Sequence, residues 1–318
     1  MDNFTHSLIG WALGQAGLKS RSRKGLAALI LGANMPDIDV VFGWVSWAPL
    51  AMHRGFTHGL VGGVLLLPPF LAGLLWLFDR WQVRRGTTFD SGLPMRFGWL
   101  VALSYIGAIS HPLLDLQNTY AVQLLSPLSD AWFHNDALFI IDVWLWSALA
   151  AGIALSRRRE AGGQPWQRPA QAALAVMVAY IAVNAQLSHV AKQRLAGSGL
   201  APRPDVVFAS QQPVLFWTRN MIWREAGRVG RARFDPVRGL HAVQPMFVDN
   251  MTLPLVLRAR ADAEARDFLR WSVLPVARIR RSACRAIVSF GDARFGEPRV
   301  SARFLRTVEL PLGGAGCR

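Results

Sequence analysis

Lysine is almost missing from this chain. Only Lys19, Lys24 and Lys192 occur, so nearly all of the 35 basic residues are arginine. The formal charge of +15 would suit a nucleic-acid surface, yet no nucleic-acid-binding motif accompanies it. Nucleic acid is therefore not an expected partner. The basic surface, including the 20 arginines against 10 acidic residues from position 201 onward, is assigned to the neighbourhood of anionic lipid head groups. Cysteine is equally scarce. Cys284 and Cys317 form no metal-type spacing and suggest no disulfide framework. A GxSxG elbow, a Walker loop and a GxGxxG turn are all absent, which removes the usual anchors for serine hydrolysis, nucleotide hydrolysis and dinucleotide binding. The first residues, with Asp2 and no basic run, are not expected to form a cleavable signal peptide, so insertion is expected to use internal helices.

Charge in general is low, at 17% of residues, where an average soluble domain has about a quarter. What replaces it is apolar: 52% of residues are hydrophobic and 13 are tryptophan, a residue that favours membrane–water interfaces. The apolar residues come in blocks. Residues 59–78, 97–114, 137–155 and 169–191 carry no charge except Asp142. Each approaches the roughly 20 residues that a spanning helix needs. Pro68 and Pro69 are expected to kink the first. Two shorter segments, 7–18 and 25–35, precede them as short tilted spans or an interfacial hairpin. The basic loops 19–24, 79–96 and 156–168 would share the cytoplasmic side. The opposite, periplasmic side of a bacterial inner membrane would then hold the other connections and everything after residue 191. Beyond residue 200, short apolar stretches alternate like strands. The fold expected is mainly α: a polytopic helical membrane domain, 1–195, followed by a small β-rich extramembrane domain, 200–318.

The histidines and aspartates gather at the segment ends that this topology places on one side. They are His6, Asp37 and Asp39, His53 and His58, His111 and Asp115, then His134, Asp136 and Asp142, and they include five of the seven histidines. His111 and Asp115 are four apart, on one helix face. Asp37 and Asp39, two apart, would point the same way in an extended segment. Aspartate inside an apolar run, as at Asp142, is costly and marks function by default. Histidines with carboxylates suit zinc, manganese or iron, one to three ions. Such a site could activate water against a phosphoester, with Asp39 or Asp142 as base and Arg54 holding an anionic phosphate. His189 and His241 read as structural.

The stretches "THSLIGWALG", "GANMPDIDV", "HRGFTHGL", "SHPLLDLQNTY" and "HNDALFIIDVWLW", in this order, resemble the membrane-bound metal-dependent hydrolase family typified by YdjM. "RAIVSFGDARFG" is similar to that family's C-terminal strand motif. The resemblance implies metal-dependent hydrolysis, with His6, Asp37, Asp39, His53, His58, His111, Asp115 and Asp142 as site residues and Asp136 close by. Val143 stands where proline would be expected after the aspartate. A more distant similarity to zinc-dependent phospholipase C favours a phosphoester, and a lipid is the substrate that a membrane-edge site meets first. Two rivals keep the metal and drop the chemistry: a structural metal site, or a metal transporter, whose ligands would sit near the bilayer midplane.

Overall fold

A computed structural model describes residues 1–42, 54–295 and 304–312; of the expected site residues, His53 lies outside them. Asp2 starts helix α1 (Asn3–Gln15) by accepting from the backbone N–H groups of Phe4 and Thr5, which satisfies two donors that a helix start leaves open. Gly17, at φ 121°, ends it and leads through a short turn into α2 (Gly25–Asn34). The next turn, Met35–Phe42, is 3-10. This corrects the expected extended geometry: with three residues per turn, positions 37 and 39 point in different directions.

A seven-residue stretch of π-helix, Leu60–Leu66, runs into α3 (Leu67–Arg84), whose first turn holds Pro68 and Pro69. Both prolines fall inside the continuous helical segment Leu60–Arg84, at the first positions wound as α. They mark where the winding tightens from π to α. Helix α4 spans Phe97–Asp115, α5 Val143–Ala161 and α6 Gln167–Gly197. Helices α2 and α4 approach closely because glycines face each other. A Cβ on Gly107 would stand 2.5 Å from the Leu29 carbonyl oxygen, and one on Gly32 would stand 2.8 Å from that of Ser104. That approach brings the turn after α2 against the last turns of α4. Leu29, Leu71, Leu75, Leu100 and Leu103 fill one core cluster. Leu8, Ile9, Leu114, Leu145, Leu149 and Ile153 fill another.

Among the described residues, three helical segments are long and apolar enough to cross a membrane: Leu60–Arg84, Phe97–Asp115 and Gln167–Gly197. Their outward faces are apolar too. Phe70, Leu74 and Leu77 on α3, and Val176, Val178 and Val183 on α6, are all exposed, as lipid-facing positions would be. The span expected over 137–155 is not among them. Helix α5 starts only at Val143, capped by Asp142. Arg157–Arg159 then close the apolar stretch 143–155 after 13 residues.

The chain divides into two units, with the change inside α6 at residue 187 and residues 211–216 returning to the first unit. The second unit carries most of the seven strands found among the described residues. One sheet has the order β1 (Val206–Gln211), β2 (Arg219–Glu225), β3 (Arg228–Asp235), β4 (Gly239–Val248); the other has β5 (Pro275–Arg281), β6 (Arg285–Asp292), β7 (Leu305–Pro311). Two short helices, α7 (Pro254–Ala259) and α8 (Ala263–Trp271), lie between the sheets in sequence. Ala226 and Gly227, both at positive φ, make the two-residue turn that pairs Glu225 with Arg228. In β6, Ala286, Val288 and Phe290 alternate inward, which accounts for the "RAIVSF" pattern. Buried Asp292 pairs with buried Arg294 at 2.8 Å, and the guanidinium lies over Phe208, Trp271 and Phe295. Cys284 is disulfide-bonded, contrary to the expectation that the cysteines have no such role.

Candidate metal centre

Four separate segments deliver five side chains to one buried spot at one end of the helical unit. His6 comes from the start of α1, Asp37 from the 3-10 turn after α2, and His58 from the turn Phe56–His58 before the π stretch. His111 and Asp115 come one turn apart from the end of α4. Among the described residues, two sets have the spacing to hold a metal ion: His6, His111 and Asp115, and Asp37, His58 and His111. His111 belongs to both.

The distances are short. His58 Nε2 and His111 Nε2 lie 3.2 and 3.3 Å from Asp37 Oδ1, and each lies 3.5 Å from Asp115 Oδ2. They are 3.1 Å from each other. His6 stacks on His111 with ring centroids 3.6 Å apart, and its Nε2 is 3.6 Å from Asp115 Oδ1. All five side chains are buried.

The outer nitrogens decide what the inner ones can do. His111 Nδ1 stands 2.6 Å from the Ala33 carbonyl oxygen. A carbonyl only accepts, so Nδ1 carries the proton and Nε2 presents a lone pair to the centre. His58 Nδ1 faces Thr57 Oγ1 at 3.2 Å and Asp39 Oδ2 at 3.7 Å, and the Thr57 hydroxyl donates to Asp39 Oδ2 at 2.8 Å. With that proton given to Asp39, Thr57 Oγ1 accepts from His58 Nδ1–H, and Nε2 again faces inward unprotonated. Carbonyl and carboxylate partners behind ligating histidines are the usual outer shell of a metal site.

Two lone pairs 3.1 Å apart repel unless a cation lies between them. Burial pushes the His6 imidazole well below its ordinary pKa, with neighbouring positive groups adding to the effect, so it is neutral near pH 7. Neither His6 nitrogen has a hydrogen-bond partner, and neither has Asp115 Oδ2. Buried polar atoms left in that state are costly. Burial pushes the Asp37 carboxyl up, but the neighbouring His111 and His58 outweigh it and hold the group well below the usual carboxylate range. Neutral imidazoles, ionised carboxylates and unsatisfied buried donor atoms together fit a divalent cation. The Met1 backbone nitrogen also lies against Asp115 Oδ1.

The other expected residues fall around this centre. Asp39 stands behind His58, on the side of Nδ1. Arg54 is buried, its Nη1 bound to Asn118 Oδ1 at 2.7 Å and its Nη2 3.3 Å from Asp115 Oδ1. It is built into the wall, which corrects the picture of an open phosphate clamp. Asp136 is buried and holds His134 Nδ1 at 2.8 Å, and neither is in either triad. Asp142 is corrected most. It caps α5 through the backbone N–H groups of Trp144 and Leu145, and its other oxygen accepts from Tyr180 Oη at 3.0 Å and Gln211 Nε2 at 2.9 Å. Four donors occupy both oxygens, so it is neither a buried orphan nor one of the converging ligands. Thr57, Asn118 and the Ala33 carbonyl were not foreseen. Thr57 and Asn118 lie one residue before His58 and three after Asp115, the only hint that position alone offers. His189 and His241 bond locally, to Gln193 and to the Gly239 carbonyl.

Membrane-length helices with a buried histidine–aspartate cluster at one end define a polytopic membrane protein with groups able to hold a metal. The chain belongs to the YdjM inner membrane protein family, whose model matches residues 1–190. That stretch contains all five converging residues. The chain is also similar to the curated protein "Uncharacterized protein YfhP" of Bacillus subtilis (strain 168), 26% identical over 174 residues, 52% of this chain. The match spans about half of that relative, 48% of its length. No solved structure matches.

Proposed function

We propose that this inner membrane protein is a metal-dependent hydrolase acting on a phosphoester, with a phospholipid as the nearest candidate substrate. The observation that carries the reading is the convergence of His6, His58 and His111 Nε2 with Asp37 and Asp115 on one buried point. When bound there, a divalent ion such as zinc supplies Lewis acidity and a water acidified towards a pKa of about 7. His58, His111 and the two carboxylates would hold the ion. The Ala33 carbonyl and the Thr57–Asp39 pair orient the two imidazoles. Asp39 is the carboxylate close to the centre yet outside both triads, which leaves it as the candidate proton acceptor. Arg54 adds positive charge beside Asp115. The positive loops favour a periplasmic position for this end of the helices, and the Cys284 disulfide fits an oxidising compartment for the C-terminal part.

The test is metal analysis of the detergent-purified protein, then a screen of soluble and lipid phosphoesters with that metal supplied. A bound divalent ion, lost together with hydrolysis in His58→Ala, supports the proposal. Full metal retention in both His58→Ala and His111→Ala would sink it. A second reading, a metal that only staples helix ends, is favoured by the near-complete burial of the set. It predicts that the metal-loaded protein turns over nothing in the screen while His58→Ala lowers its melting temperature. The position of His111 and Asp115 in the last turns of α4, away from its middle, speaks against transport.

A further inference from the structure

The opposite end of the helical unit is built around the loop between α1 and α2. Arg23 bonds Asp79 on α3 through two contacts of 2.7 Å, and Lys19 bonds Glu160 on α5 at 2.5 Å. The Ser22 hydroxyl accepts from the Arg96 backbone N–H at the start of α4 at 2.9 Å. Gln171 on α6 donates to the Ala16 carbonyl at 3.0 Å. These ties gather one end of every helix from α1 to α6 on the side away from the metal centre.

Charge accumulates there. Residues 16–24, 79–96 and 156–168 hold 12 basic side chains against three acidic ones, Asp79, Asp90 and Glu160, and two of those three are already paired within the fold. Four of the remaining arginines share a geometry. Arg21 lies 5.0 Å from the Trp99 ring, Arg80 5.0 Å from Trp76, Arg85 5.2 Å from Trp81 and Arg157 5.5 Å from Trp11. All four arginines are exposed. So are Trp81, Trp99 and the neighbouring Phe78.

We propose that this rim is a binding surface for anionic phospholipid head groups. Each guanidinium offers planar paired donors to a phosphate oxygen pair. The indole beneath fixes its orientation and suits the interfacial depth at which head groups lie. The exposed aromatic surface just below receives the glycerol and first acyl carbons. A free phosphate would use the arginines but not that apolar ledge, whereas an anionic phospholipid uses both, and the surplus of positive charge selects it over a zwitterionic one. The rim is separate from the metal centre, so it stands whether or not the protein hydrolyses anything.

Native mass spectrometry of the full chain in neutral detergent, with equimolar phosphatidylglycerol and phosphatidylcholine, tests this. The expected result is preferential retention of phosphatidylglycerol. Arg85→Gln alone is expected to lower that preference about fivefold, from roughly 1 kcal/mol per basic residue near an anionic surface. The triple variant R80Q/R85Q/R157Q is expected to abolish it. R278Q/R280Q/R281Q removes the same charge from strand β5 and is expected to keep it. Equal retention of the two lipids by the unaltered protein would overturn the proposal. So would an equal loss in both triple variants, which would mean diffuse charge without a site.

Discussion

Asp39→Asn keeps the shape of the side chain and removes its charge, so it separates a carboxylate that orients His58 from one that binds metal. In the structure Asp39 lies beside the outer face of the His58 ring, at 3.7 Å from Nδ1, with Thr57 bonded to both. Loss of an outer-shell partner typically costs about 10- to 100-fold in metal affinity, roughly 1.4–2.8 kcal/mol. The 3.7 Å separation exceeds hydrogen-bond length, and Thr57 stays as an acceptor for Nδ1–H. The loss therefore belongs near the lower end, about tenfold. His58→Ala removes the ligand itself and should lose well over about 100-fold. Competition for zinc against a chromophoric chelator, in detergent, measures both. If Asp39→Asn falls as far as His58→Ala, Asp39 is a direct ligand and the orientation argument is wrong. If it changes nothing, the outer shell has no role.

His111→Ala is expected to abolish metal binding, because both triads include it, whereas His6→Ala leaves Asp37, His58 and His111 in place and should keep measurable zinc in elemental analysis. Gly107→Leu should destabilise the helical unit by about 1–3 kcal/mol, as overpacking does, since even a Cβ there meets the Leu29 carbonyl oxygen at 2.5 Å; an unchanged melting temperature would refute the close-approach argument. Asp292→Asn should cost about 3–5 kcal/mol by leaving Arg294 buried without its partner, read by denaturant unfolding. Burial pushes the Asp292 carboxyl up, but the Arg294 charge outweighs it and holds the group below its ordinary value. The carboxylate therefore contributes in full above the unfolded pKa of about 3.9. Its contribution is lost as pH falls through the lower folded value, and the variant should show a flatter acid limb.

The helix that carries His111 and Asp115 was legible because a spacing of four has one meaning on a helix. The turn after Pro36 was not. An alternating Asp-x-Asp suits an extended chain, and only packing against α4 shows that it winds as 3-10 and parts the two carboxylates. By sequence Asp142 looks like a charge inside a span, because an apolar run shows its length but not where helical winding begins. The competing signal was present, since aspartate is a preferred N-cap and Arg157–Arg159 end the apolar stretch early. The partners that set each histidine's tautomer, Ala33 and Thr57, depend on contacts between distant segments that no local pattern encodes.

The hydrogen bond from His111 to Ala33 has a consequence for stoichiometry. An imidazole whose Nδ1 is committed to a carbonyl has a single lone pair left, and a lone pair serves one ion. The two triads therefore draw on the same donor atom and cannot both be completed by His111. Within the described residues the centre is a one-ion site that can be approached from two sides, and an ion seated against Asp37 excludes one seated against His6. Titration with zinc should saturate at one equivalent from these residues, and any further ion would have to find its donors outside both triads.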